Sequence, residues 1–192
     1  MRYVSIDIET TGLDPQENDI IEFGAVLDDL SSSTPIKMLP RFHCYFVRPF
    51  YNGSPFALSM HPKIFRRIAD RESGYTYISA TKLGHRFQNF LLKNGYKKDH
   101  DKICITAAGK NFGAFDLQFL KFKTDFLKHV EVRHRILDPA VLYLERGDAV
   151  IPGTSECKSR ANLEKNVAHT AIEDAIDVIK LLRCKLSEKF SS

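Results

Sequence analysis

No Cys-x-x-Cys pair occurs in these 192 residues, and the four cysteines, Cys44, Cys104, Cys157 and Cys184, stand far apart. That spacing excludes a zinc ribbon and argues against a disulfide framework. Cys44 and Cys104 lie in apolar, strand-like runs and read as buried free thiols of a reducing compartment. No apolar run approaches the roughly 20 residues of a membrane span. Internal repeats and low-complexity segments are also lacking. A strand-like run opens at residue 2 and leaves no room for a signal peptide. The expectation is a soluble, cytoplasmic protein with no membrane partner.

What is present suits one domain, residues 1–192, with a sizeable core: 43% of the chain is hydrophobic, with 14 Phe. Lys and Arg total 28 against 24 Asp and Glu, a net charge of +4. Acids sequestered by cations would widen that basic excess, which favours a polyanionic partner.

Residues 2–7, 20–27 and 41–47 read as three strands, separated by the turn at 14–19 and a Ser-rich loop at 31–35. They suit an antiparallel meander. Helical character follows at 57–69. A clearer helix carries Leu83, Phe87, Phe90 and Leu91 at i, i+4, i+7 and i+8, closed by Asn94-Gly95. Residues 102–107 read as a fourth strand, 115–122 as a helix, 135–137 as a short fifth strand, and 140–145 and 171–186 as helices. Residues 151–166 are polar, without a period, and read as a loop. The expected architecture is α/β: a mixed five-stranded sheet, with the meander plus parallel strands, flanked by helices.

Candidate chemistry starts at Asp7-Ile8-Glu9-Thr10-Thr11-Gly12, directly after an apolar run. With a side-chain period of two, Asp7 and Glu9 point to the same side of a strand. Two adjacent carboxylates repel each other in a core, whereas hard cations such as Mg²⁺ and Mn²⁺ favour such oxygen pairs. Asp70-Arg71-Glu72 has the same spacing but sits in a charged stretch and reads as a solvated helix end. Asp116 opens a predicted helix after Asn111 and Gly113. Thr170 and Glu173 have capping-box spacing, so a helix should begin at Ala171. His169 then lies in the incoming loop and Asp174 one turn inside.

The three segments together resemble the DEDDh (DnaQ-like) 3′–5′ exonucleases of the ribonuclease H-like superfamily. The resemblance runs through Asp7 to Asp14, through Asn111 with Phe115-Asp116 and Phe119-Leu120, and through His169, Ala171 and Asp174-Ala175. It implies a ribonuclease H-like sheet. It also implies that Asp7, Glu9, Asp116 and Asp174 bind two divalent cations, Mg²⁺ or Mn²⁺, about 3.5–4 Å apart. His169 would be the general base toward water. Thr10, Thr11 and Gly12 would hold the terminal nucleotide, and Leu13 and Phe115 would touch its base. His61, in Pro55 to His61, matches a substrate-side segment in which Gly usually follows the histidine; Pro62 stands here instead. The implied partner is single-stranded DNA or RNA with a free 3′ end. The implied product is a nucleoside 5′-monophosphate. An exoribonuclease for short RNA, a non-catalytic nucleic-acid-binding module and a small-phosphoester hydrolase are the alternatives.

Overall fold

The computed structural model describes residues 1–164 and 170–188. Strands β1 (Arg2–Thr10), β2 (Ile20–Asp29) and β3 (Arg41–Phe46) form the antiparallel meander. Its register sets Asp7 opposite Gly24 and Glu9 opposite Glu22. Helix α1 (Pro55–Met60) is capped by the Ser54 hydroxyl, which accepts the Ala57 N–H. Helix α2 (Pro62–Asp70) follows at once. The single helix expected over 57–69 is thus two, because Pro62 has no N–H to continue α1 but suits the first turn of a new helix.

Strand β4 (Tyr77–Ile78) pairs parallel with β3, and α3 (Leu83–Lys93) follows. The expected strand at 102–107 divides into β5 (Ile103–Ile105) and β6 (Ala107–Ala108). Between them the chain changes partner. Helices α4 (Asp116–Lys123) and α5 (Phe126–His129) lead to β7 (Val130–Val132), which pairs with β5 as a separate two-stranded sheet. β6 instead pairs parallel with β1, completing the order β4-β3-β2-β1-β6. The run at 135–137 is not a full strand: Leu137 makes one parallel bridge to Ala108. The fifth strand of the main sheet is β4.

Residues 151–166 were expected as a loop, but α6 (Thr154–Arg160) forms within them. It is almost entirely polar and buries Cys157 against Ala140, Tyr143 and Leu181. Arg160 pairs with Glu156 at 2.9 Å and grips both oxygens of Asp148 at 2.6 and 2.9 Å. One apolar contact sets no period, so the helix was invisible as a pattern. Cys44 is buried as expected, whereas Cys104 is only partly so. Among the described residues no helix is long and apolar enough to cross a membrane.

Alternation along β1 separates two layers. Val4, Ile6 and Ile8 join Phe23, Phe87, Leu91, Phe119 and Phe126 in the main core beneath α3, α4 and α5. Tyr3 faces the other way, and with Val26 it packs on Ala175, Ile179 and Leu182 of α7 (Ala171–Glu188). Helix α7 is fixed along its length. The Ser5 hydroxyl donates to the Ala175 carbonyl at 2.8 Å, and Arg183 grips both oxygens of Asp28 at 2.5 and 2.9 Å. Its first turn lies against bare backbone: a Cβ on Gly24 would fall 2.4 Å from the Ala171 carbonyl carbon and 2.5 Å from the Ile172 nitrogen.

Gly24→Ala should therefore lower the melting temperature by several degrees. Overpacking of this kind costs about 1–3 kcal/mol, and backbone on both sides leaves no flexible side chain to give way. Thermal denaturation followed by circular dichroism measures this. Melting at the wild-type temperature would contradict the close approach.

Candidate metal centre

Asp7 and Glu9 are two residues apart on β1 and lie on the α7 side of the sheet. Asp174, one turn into α7, meets them there. One carboxylate oxygen from each of the three lies within 4.8 Å of the others, a group able to hold a metal ion. Asp116 arrives from α4, is 4% exposed, and accepts the Ile8 N–H through Oδ1 at 3.2 Å. It stands just outside the trio, yet its charge acts on Asp7.

Electrostatics make this a strained arrangement. Burial raises the Asp7 pKa well above the ordinary carboxylate range, and the charges of Asp116, Asp174, Glu9 and Glu22 raise it further. Burial, then Asp174, Glu22 and Asp116, push Glu9 up to about 8. Burial raises Asp116 as well, opposed by the Ile8 N–H. A low-dielectric cluster of like charges holds protons near neutrality unless cations offset it. An all-oxygen donor set with this mutual repulsion fits Mg²⁺ or Mn²⁺.

Two further groups border the cluster. His61 is 6% exposed at the α1–α2 junction, with Nε2 3.6 Å from Glu9 Oε2. It is buried beside a carboxylate. Sequence reasoning missed Glu22, which is fully buried beside Glu9 in the register. Its Oε1 lies 2.5 Å from His43 Nε2, and its Oε2 accepts the Ala171 N–H at 3.2 Å, capping α7 from the sheet. A charged residue inside the apolar run Ile20 to Gly24 was the available signal. The Thr170 hydroxyl meets the Glu173 carboxylate at 2.9 Å, a side-chain version of the expected capping box. His169 lies outside the described residues.

The turn after β1 also differs from expectation. Thr11 is fully buried. Its N–H donates to the Asp19 carbonyl at 2.9 Å, its carbonyl accepts the Ser54 N–H at 3.1 Å, and its hydroxyl donates to the Asn52 carbonyl. A Cβ on Gly53 would lie 2.5 Å from the Thr11 oxygen. Thr11 is thus a structural knot whose polar groups are engaged internally. Thr10 donates its hydroxyl to the Gly12 carbonyl at 2.7 Å. A Cβ on Gly12 would lie 2.2 Å from Asn18 Oδ1, so a larger residue there would have to displace the Asn18 side chain. Leu13, by contrast, is 84% exposed. Phe115 is half-buried against Phe119, ring centres 5.1 Å apart. Both keep apolar surface available near the cluster's strand and helix.

An exonuclease family model matches residues 4–182. Among solved structures, similar chains include E. coli Exonuclease I in complex with a dT13 oligonucleotide, 15% identical with a TM-score of 0.61 over 99% of this chain and 42% of that one. The zinc-bound E. coli Exonuclease I–single-stranded DNA complex is 15% identical at a TM-score of 0.63, over 98% and 41%. The Neurospora crassa Pan2 catalytic unit is 14% identical at 0.61, over 98% and 27%. The chain therefore spans less than half the length of these structures, and at such identities the likeness is one of fold. No match is found among curated proteins.

The raised carboxyls have a measurable consequence. With a folded pKa of about 8 against an ordinary 4.5, Glu9 binds more protons folded than unfolded between those values, so its contribution to stability falls as pH rises across that window. A divalent cation binds the deprotonated form and reverses the loss. Millimolar Mg²⁺ or Mn²⁺ should raise the melting temperature of metal-stripped protein more at pH 8 than at pH 5, and Asp7→Ala should abolish the difference. An equal shift at both pH values would show that these carboxyls are not the binding groups.

Proposed function

Because this chain belongs to the exonuclease family, of the DEDDh (DnaQ-like) type with a ribonuclease H-like fold, we propose that it hydrolyses phosphodiester bonds at the 3′ end of single-stranded DNA or RNA, releasing nucleoside 5′-monophosphates. The observation that carries the reading is the convergence of Asp7, Glu9 and Asp174 within 4.8 Å at the end of β1. Asp116 adds a fourth carboxylate at the same strand. Bound divalent cations, Mg²⁺ or Mn²⁺, would supply the positive charge that offsets the phosphate in the transition state. Asp7, Glu9, Asp116 and Asp174 would hold them. The neighbouring residues fix these ligands: Ile8 N–H orients Asp116, and Glu22 seats the helix that carries Asp174. His61 stands behind Glu9.

His169, five residues before Asp174, is assigned as the general base that takes a proton from the attacking water. The 3′ polarity rests on the turn after β1. Thr10 to Gly12 follow Glu9 directly in the chain, and Leu13, 84% exposed, projects an apolar group able to cap a terminal base. Phe115 offers a second surface. Such a pocket takes a chain end more readily than a continuing strand. A small-phosphoester hydrolase would use the same carboxylates but leave Leu13 without a base to cover. Turnover of free nucleotides against oligomers separates the two.

With 5′-labelled single-stranded oligomers and Mg²⁺ or Mn²⁺, products should shorten one nucleotide at a time, and a chelator should stop the reaction. Asp7→Ala and Asp174→Ala should each abolish turnover, while Asp70→Ala, at the exposed end of α2, should leave it unchanged. His169→Ala should slow it roughly 10²–10⁴-fold with metal binding retained. A closed circular single strand should resist; its rapid cutting would refute end binding.

A further inference from the structure

We propose that the outer face of α3 is a second nucleic-acid site, which holds the 5′ part of a long single strand while its 3′ end occupies the carboxylate cluster. The proposal rests on the nuclease reading for the identity of the polyanion. Its own basis is a groove of about 720 Å³ between α3, Phe42 of β3 and the chain around Thr76. Lys82, Arg86 and Lys93 line it, and among the described residues no carboxylate does. All three cations are exposed, and none makes an ion pair with a described residue. Arg160 and Arg183, by contrast, are engaged by Asp148 and Asp28.

The spacing suits a repeating anion. Lys82, Arg86, Asn89 and Lys93 follow one helix stripe at i, i+4, i+7 and i+11, so Arg86 and Lys93 are about 10 Å apart along the axis with an amide between them. Phosphates recur along a strand, whereas an acidic peptide offers no fixed period. The floor is aromatic: Phe42 and Phe90 lie 5.5 Å apart with their planes tilted, and both are only partly buried. Aromatic surface beside a row of cations is what sequence-tolerant single-strand binding uses.

The groove is remote from the cluster. The buried side of α3, with Leu83, Phe87 and Leu91, shares the main core with Val4, Ile6 and Ile8. Asp7 and Glu9 alternate with those residues and face α7. A strand must therefore pass around the sheet to fill both sites, which only a long oligomer does. Joining two weak sites by one strand raises affinity without new contacts at either.

The test compares Lys82→Ala/Arg86→Ala/Lys93→Ala with a control that loses the scattered exposed lysines Lys37, Lys97 and Lys128. Binding of a labelled single strand of about 20 nucleotides is measured in chelator, so cleavage does not interfere. The groove variant should bind about tenfold more weakly than the control, and its log K against log salt slope should be shallower by about 2, the release expected for three phosphates on a single strand. Trinucleotide turnover with metal should be unchanged. Equal affinity of the groove variant and the control overturns the proposal; an acidic peptide bound by wild type but not by the groove variant would then assign the groove to a protein. If wild type fails to hydrolyse the trinucleotide while the long strand still loses its affinity, the exonuclease reading falls and the groove stands.

Discussion

Backbone contact between α7 and β2 at Gly24 is the constraint on which the site depends. Asp174 is separated from Asp7 by most of the chain, and only the seating of α7 brings their oxygens together. No side chain spaces the helix from the sheet, because Gly24 has none and faces Ala171 and Ile172 directly. The contact sits opposite Asp7 in the register. Three polar latches then fix the helix lengthwise: Glu22 at its first N–H, Ser5 at the Ala175 carbonyl, and Asp28 at Arg183. The last is a buried carboxylate that also accepts the Tyr3 hydroxyl at 2.6 Å. Losing one partner of such a group costs about 3–5 kcal/mol, so the latch positions α7 strongly.

Close seating concentrates negative charge. Glu22 adds a fifth carboxylate to the four candidate ligands, and with Asp116 and Asp174 it raises the proton affinity of Asp7 and Glu9. The fold offsets part of this with its own dipoles. Asp116 and Asp174 occupy the first turns of α4 and α7, where the helix dipole favours anions. Glu22 meets both the N–H of Ala171 and the imidazole of His43. Burial and the neighbouring carboxylates still hold Asp7 and Glu9 well above the ordinary carboxylate range, and that is where an external cation has most to offset. Stability alone would not select this arrangement, which is the physical reason to read it as a site.

Much of this was legible because it follows from short-range rules. A period of two placed Asp7 and Glu9 together, and the capping-box spacing of Thr170 and Glu173 marked the start of α7. What stayed hidden needed long-range information. Tyr77–Ile78 is too short for a strand pattern and exists because β3 offers it an edge. Helix α6 is held by ion pairs and one buried thiol, neither of which leaves a period. The internal partners of Thr11 were also hidden: Asp19, Asn52 and Ser54 engage it from later in the chain. Glu22 required the hairpin register, which sets it across from Glu9.

Ile8 shows how one strand serves both stability and chemistry. Its side chain is buried in the main core with Phe119 and Leu120 of α4. Its N–H donates to Asp116, the first residue of that same helix. The core that holds α4 against β1 thus also delivers its leading carboxylate to the strand's end. Helix α7 brings Asp174 from the opposite layer. The cluster therefore forms where two layers meet at the end of β1, and neither layer carries it alone. A shift of either helix would separate the ligands even with every carboxylate intact. Rigidity of this kind explains why the candidate donors sit on helices and a strand. Carboxylates held against their own repulsion need such fixed supports.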